Sequence, residues 1–193
     1  MHMRIIRSYQ NVDYAARGAS VAIGNFDGVH LGHQSVINIA RSEAKAMDGP
    51  LGILTFEPHP RTFFTPHGPP FRLMSTVARQ TRLRKIGVDI LFELNFSDSL
   101  SSLSPREFAE NVLKEGLGLA HVVVGSDFCF GKDRSGTSNH LRIFGEEMGF
   151  AVTVTPLISA GLGEVSSTSI RNALEEGRPK DAADQLGHWH CLE

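Results

Sequence analysis

The segment Ser20-Val-Ala-Ile-Gly-Asn-Phe-Asp-Gly-Val-His-Leu-Gly-His-Gln34 constrains the fold more than any other part of the chain. Val21 to Ile23 are small or β-branched and read as a short buried strand that stops at Gly24. From about Leu31 the period changes, and Val36, Ile37, Ala40 and Ala44 recur at helical spacing. The turn between them holds Gly24, Gly28 and Gly32, positions where backbone can approach a ligand or take a positive φ. His30 and His33 open the helix on one face, beside unpaired N–H groups and the positive end of the helix dipole. A strand, a glycine turn and a helix start with two imidazoles make a place for phosphates.

Other readings of this turn fit less well. The glycines do not fall as G-x-G-x-x-G, so it is not a dinucleotide-binding fingerprint, and no Lys-Ser or Lys-Thr follows as in a Walker A loop. Two histidines on one helix face also suit zinc, but a catalytic zinc wants a third protein ligand. His59 or His67 supplies one only if the fold carries it there.

Charge decides against some partners. Lys plus Arg is 19 and Asp plus Glu is 21, a formal net charge of −2, which gives no long-range pull toward nucleic acid or an anionic membrane. The 193 residues, 41% of them hydrophobic, suffice for one sizeable core. Cys129 and Cys191 fit a reduced, cytoplasmic protein; they imply no disulfide framework, although one bridge stays open. No secretory leader and no bilayer-length apolar run is visible, and Met1-His2-Met3 is given no structural weight. Small-molecule substrates are expected rather than nucleic acid or membrane.

Further along, Arg4-Ile-Ile-Arg7 suits an edge strand, and Asp48-Gly49-Pro50 stops the His-bearing helix near Met47. Leu51 to Phe56 is a second strand, which completes a βαβ unit. Glu57-Pro-His-Pro60 follows, then Phe63 and Phe64, a pair that either caps the core or walls a flat ring. Ser75 to Ile86 is a basic helix whose Arg79, Arg82, Arg84 and Lys85 read as a solvated face. Val88 to Leu94 is a third strand. Ser104-Pro105-Arg106-Glu107 is a capped helix start, with Gly116 at the helix end.

His121 to Gly125 is apolar enough to be an interior strand. It leads into a glycine-rich loop, Ser126 to Thr137, that carries Asp127, Phe128 and Phe130. Five residues separate Gly125 from Gly131 and Asp133 stands where a hydroxyl is needed, so this is not a P-loop. A helix from Leu141 to Met148 and a fifth strand from Ala151 to Thr155 follow. Alternating strands and helices predict an α/β fold: a mostly parallel sheet of about five strands with helices on both faces. Its candidate loops all leave C-terminal strand ends and are expected to converge.

A second phosphate element opens the next helix at Glu164-Val-Ser-Ser-Thr-Ser-Ile-Arg171. Ser167 or Thr168 is the expected cap, and Arg171 lies one turn in on their face. Two helix starts aimed at one polyphosphate would explain both elements.

His30-Leu-Gly-His33 and Ser166-Ser-Thr-Ser-Ile-Arg171 resemble the two signatures of the nucleotidylyltransferase superfamily. Gly24-Asn-Phe-Asp-Gly-Val-His30, Thr55-Phe-Glu-Pro-His-Pro60 and Val124-Gly-Ser-Asp-Phe-Cys-Phe-Gly131 narrow the resemblance. Together they look like the FMN adenylyltransferase module of bacterial bifunctional riboflavin kinase/FAD synthetases, over about Val21 to Gly187. The resemblance implies a Rossmann-like three-layer fold and transfer of AMP from ATP to FMN, giving FAD and pyrophosphate with Mg2+. It implies that His30, His33 and Arg171 act in catalysis, with Gly24, Asn25, Phe26, Asp27, Ser167 and Thr168 around ATP. Phe26 and Asp27 would act mainly through backbone. Pro58, Pro60, Phe64 and Phe130 would wall the flavin, with Asp127 between the two ligands. Cys129 stands where the family often has Arg, and Glu164 where a basic residue is common; both bear on the FMN phosphate. Residues 1–186 are expected to form the module, and 187–193 a stub of linker toward a riboflavin kinase domain that is absent from this sequence.

Overall fold

In the computed structural model, which describes residues 3–156, 159–160 and 163–189, six parallel strands form one sheet. The first four are β1 (Arg4–Ile6), β2 (Ser20–Ile23), β3 (Leu51–Glu57) and β4 (Ile90–Asn95). The fifth is β5 (His121–Gly125). A hairpin of β6 (Cys129–Phe130) and β7 (Gly136–Thr137) precedes the sixth, β8 (Ala151–Thr155). Their order across the sheet is β1-β4-β3-β2-β5-β8. The chain therefore builds one half outward from β2 and the other outward from β5. The crevice at their C-terminal ends is where open α/β sheets bind ligands.

Among the described residues, these helices connect or flank the strands: α1 (Leu31–Ala46), α2 (Pro60–Phe64), α3 (Thr76–Lys85), α4 (Asp98–Ser101), α5 (Pro105–Glu107), α6 (Ser138–Met148), α7 (Ser167–Glu175) and α8 (Pro179–Leu186). A small ribbon, β9 (Ser159–Ala160) with β10 (Gly163–Glu164), stands before α7.

Strand residues alternate between two cores, as the period of a pleated strand requires. Ala22, Ile53, Leu91 and Val123 pack on one face against Ile37, Ala40 and Ala44 of α1 and Leu83 of α3. Val21, Ile23, Leu54, Phe92, Val122 and Val124 face the other way, onto Phe108, Val112 and Leu113 after α5 and Leu141 of α6. Each fully buried Val, Leu, Ile or Phe side chain of this kind contributes about 1.5–3 kcal/mol. A smaller cluster of Leu73, Ile170, Ala173, Ala182 and Leu186 seats α7 and α8.

The parallel α/β architecture is the expected one, and Arg4–Ile6 is its edge strand, beside β4. Met3, given no weight in the sequence, is buried against Ala22 and Leu91. Ser104 and Glu107 form the expected capping box, but the helix widens to π geometry over Phe108–Gly116. The glycine-rich loop is less open than expected, because β6 pairs with β7 through Cys129–Thr137 and Phe130–Gly136.

Candidate active site

The turn after β2 is strained and tightly held. Phe26, Gly28 and Val29 have φ of 50°, 91° and 43°. Positive φ suits glycine but costs a bulky or β-branched residue on the order of 1–3 kcal/mol, so it persists only where surroundings enforce it. Here Phe26 and Val29 are fully buried in the α1-side core. The Asn25 carbonyl accepts from Thr55 Oγ1 at 3.2 Å and from Arg79 Nη1 at 3.3 Å. Asn25 itself is exposed at the sheet edge.

The same turn aims the two imidazoles. His30 is the N-cap of α1, and its Nδ1 accepts the His33 backbone N–H at 3.3 Å. The proton of a neutral His30 therefore sits on Nε2. The His30 and His33 rings stack with centroids 3.6 Å apart, and His33 leans on Phe26 at 5.0 Å. Burial, reinforced by the Arg171 charge, lowers the pKa of His30 to about 4. Burial and then His30 hold His33 well below the ordinary imidazole range. Both are neutral donors at physiological pH.

The opening of α7 meets this turn directly. Ser166, one residue earlier than expected, caps the helix in a reciprocal pair with Ser169. Ser167 does not cap, and its hydroxyl instead donates to the Asp27 carbonyl at 2.8 Å. Asp27 is fully buried, and its carboxylate accepts from Arg171 Nη2 at 3.0 Å and from the Leu73 N–H at 2.9 Å. Gly32 lets the helices close, since a Cβ there would lie 3.1 Å from the His30 ring and 3.2 Å from the Val165 carbonyl. The two helix starts thus meet through Asp27. Arg171 also donates to the Phe71 carbonyl at 2.6 Å and lies 5.4 Å from that ring's centroid. Thr168 is exposed beside them.

Phe71 carries the cluster across to the end of β3. The His59 ring meets it edge-on at 4.9 Å, between Pro58 and Pro60, and His59 Nδ1 accepts the Arg61 N–H at the start of α2. Burial first, and then Arg72, Arg171 and Arg79 against an opposing Asp27, bring the His59 pKa to about 4. A cleft of about 340 Å3 opens here, lined by Arg61, Thr62, Thr65, Pro70, Phe71 and Arg72.

The implied flavin residues divide. Phe64 is 67% exposed and packs edge-on with Phe63 and Phe96. Phe130 is only 7% exposed and belongs to the core between Phe108 and Phe128. Phe96, Phe56 and Phe108 link the two as a chain of ring contacts. Asp127 is exposed on the loop after β5, close over Gly125, at the sheet edge next to β2 rather than in the Asp27 cluster. The Cys129 Sγ lies 3.5 Å from the Asp127 carbonyl. Cys191, the Glu164 side chain and residues 190–193 of the expected stub lie outside the described residues.

One prediction is overturned. Arg79 is not on a solvated face; it is 0% exposed, bonded to Glu57 at 3.0 Å and Glu93 at 3.1 Å. Glu57 also binds Arg72 and Thr76, and Arg7 reaches Glu93 from the edge strand. Arg84 and Lys85 are exposed as expected. The sequence carried one clue: Arg79 and Leu83 are four residues apart, so both lie on the buried stripe of α3.

The family model of the FAD synthetases matches residues 13–169, which includes the histidine turn, the Pro58–Pro60 segment and the start of α7. The chain belongs to the FAD synthetase family. This FAD synthetase-family chain is 42% identical, over 98% of its length, to the bifunctional riboflavin kinase/FMN adenylyltransferase of Pseudomonas fluorescens. It is 33% identical, over 96% of its length, to the protein of that name from Escherichia coli K12. It spans 64% and 60% of those two relatives.

Among solved structures, it superposes with a TM-score of 0.85 on a macrolide-efflux protein from Streptococcus pneumoniae, at 27% identity, over 97% of this chain and 62% of that one. A pantothenate synthetase from Thermus thermophilus shares the fold alone, with a TM-score of 0.53 and 14% identity over 96% of this chain and 80% of that one. No helix among the described residues is long and apolar enough to cross a membrane. Nor do any three of their His, Cys, Asp and Glu side chains gather as a metal-ligand set, so the zinc alternative finds no third ligand among them.

Proposed function

We propose that this chain transfers the adenylyl group of ATP to FMN, giving FAD and pyrophosphate. One observation carries the reading: Asp27 joins the histidine turn to the start of α7, which brings two helix N-termini, two neutral imidazoles and a guanidinium together. Membership of the FAD synthetase family supports FMN as the acceptor.

In this reaction an FMN phosphate oxygen attacks the α-phosphorus of ATP in line. The new P–O bond forms as the bond to the β-phosphate bridging oxygen breaks, and pyrophosphate leaves with that electron pair. No protein nucleophile is required, so the protein's work is alignment and charge stabilisation. His30 offers its Nε2 proton to a phosphate oxygen, with His33 stacked beside it. Gly24 and the backbone from Asn25 to Asp27 lie along the nucleotide side. Ser167 and Thr168 contribute first-turn N–H groups, because the Ser167 hydroxyl proton is already given to Asp27. Arg171 has more N–H donors than its bonds to Asp27 and Phe71 use, and the rest serve the leaving pyrophosphate. On the acceptor side, Pro58, Pro60 and Phe64 present apolar surface to the flavin ring, and Asp127 stands on the adjoining loop.

Each Asp27 carboxylate oxygen already accepts a hydrogen bond, and the histidines are neutral nitrogen donors. That donor set suits Mg2+ carried on the nucleotide phosphates rather than caged by protein carboxylates. The ion would neutralise phosphate charge. The same proposal places the protein in the cytoplasm, with a riboflavin kinase domain beside this one in the full-length protein.

A pyrophosphate-release assay with ATP and Mg2+ tests the acceptor. FMN is expected to support release, while nicotinamide mononucleotide and phosphopantetheine are not. Release with either of those but not with FMN points to a sister nucleotidylyltransferase. Tight FMN binding without release points to a flavin carrier.

A further inference from the structure

We infer that Arg79 is a positioning residue that sets the nucleotide side and the flavin side of the site in register with each other. This inference rests on the proposed reaction and adds a residue to it that touches neither substrate.

Arg79 is fully buried on α3, and its guanidinium reaches three separate segments. Nη1 donates to the Asn25 carbonyl, inside the strained turn that aims His30 and His33. Nη2 donates to Glu57 Oε2 at 3.0 Å, and Glu57 is followed directly by the Pro58–Pro60 segment on the flavin side. Nη2 also donates to Glu93 Oε1 at 3.1 Å, within β4. Gln80 and Arg7 hold the same Glu93 carboxylate, while Arg72 and Thr76 hold Glu57.

A buried guanidinium with two carboxylates is expensive to desolvate and contributes little net stability compared with an apolar packing of the same space. A planar fork does something an apolar packing cannot: it fixes the relative position of three oxygen acceptors. Two of these acceptors belong to the segments that must present ATP and FMN to each other. Misplacing reacting groups by about 1 Å costs on the order of 10²-fold in rate, so register between these segments matters. Lysine keeps the charge but loses the fork.

The test compares wild-type protein with R79K in steady-state FAD synthesis, varying ATP and FMN separately and normalising to folded protein by circular dichroism. R79K is expected to lower kcat by about tenfold or more, with kcat/KM falling at least as far toward each substrate. A purely structural role lowers the melting temperature and the folded fraction but leaves kcat per folded molecule unchanged. A kcat per folded molecule at the wild-type value overturns the assignment. If R79K does not fold, E57Q decides, because the Glu57 side chain is partly exposed and Arg79 keeps Glu93 as a buried partner. E57Q is expected to lower kcat in the same direction by a smaller factor, and a wild-type kcat overturns the inference. Wild-type protein that makes no FAD overturns the functional reading and this inference with it; active wild type with an unaltered R79K overturns the inference alone.

Discussion

His30 does two jobs with its two ring nitrogens. Nδ1 caps α1 and Nε2 is left as a donor, and the two roles can be separated because asparagine is also a strong N-cap. H30N is therefore expected to leave thermal stability near wild type while lowering turnover by roughly 10²-fold, the scale of losing one oxyanion donor. A variant of normal stability and normal turnover removes His30 from the chemistry. The imidazoles also set a pH dependence. The pKa of His30 is about 4 in the folded chain against an ordinary 6.5, and His59 is lowered in the same way. Between those values the unfolded chain takes up protons that the folded chain refuses, so stability falls as pH drops from 6.5 to 4. Above 6.5 these groups contribute no slope. The slope is at most about 1.4 kcal/mol per pH unit for each imidazole. Urea denaturation at pH 7, 5.5 and 4.5 measures it, and H30N should reduce it by one imidazole's share. Equal stability at all three pH values contradicts the burial of these rings.

At the scale of elements, the joint between the β2 turn and α7 matters most. Asp27 makes that joint with one carbonyl and one carboxylate, and the carboxylate is buried. D27N is expected to cost about 1.5–3 kcal/mol, the range for hydrogen bonds to charged groups, and to raise the KM for ATP more than that for FMN. Chemical denaturation and initial rates read the two effects; an equal rise for both substrates contradicts the role given to this joint. Much of this was legible in the sequence. The strand–turn–helix at β2 and the helix start at Ser166–Arg171 announce themselves by period and capping residues. What joins them does not. Asp27 reads as one more polar turn residue, and its partners Leu73 and Arg171 are 46 and 144 residues away. Arg79 escapes a sequence reading for a related reason. Arginine defaults to solvent, and only its acceptors Glu57 and Glu93, 22 and 14 residues away on the strands that flank α3 in the chain, reverse that default. The cap of α7 falls one residue earlier than expected because a run of hydroxyls offers several candidates, and the Ser166–Ser169 reciprocity decides among them.

For the whole molecule, the sheet order puts β2 and β5 side by side at the point where the chain changes direction. All loops used by the proposed reaction leave the same sheet edge, a consequence of parallel strands that the alternating pattern already predicted. The pattern could not say how deep each aromatic sits. Phe64 and Phe130 both end up in one chain of rings, but Phe64 lies at the surface and Phe130 in the core, as packing from β4 and the π-helical segment dictates. The most direct test of the whole account follows the phosphorus of ATP labelled either at the α- or at the γ-position, incubated with the protein, Mg2+ and FMN. The account predicts α-label in FAD and γ-label in pyrophosphate, separated by chromatography. Label from the γ-position in a flavin product, or no labelled FAD at all, would contradict it.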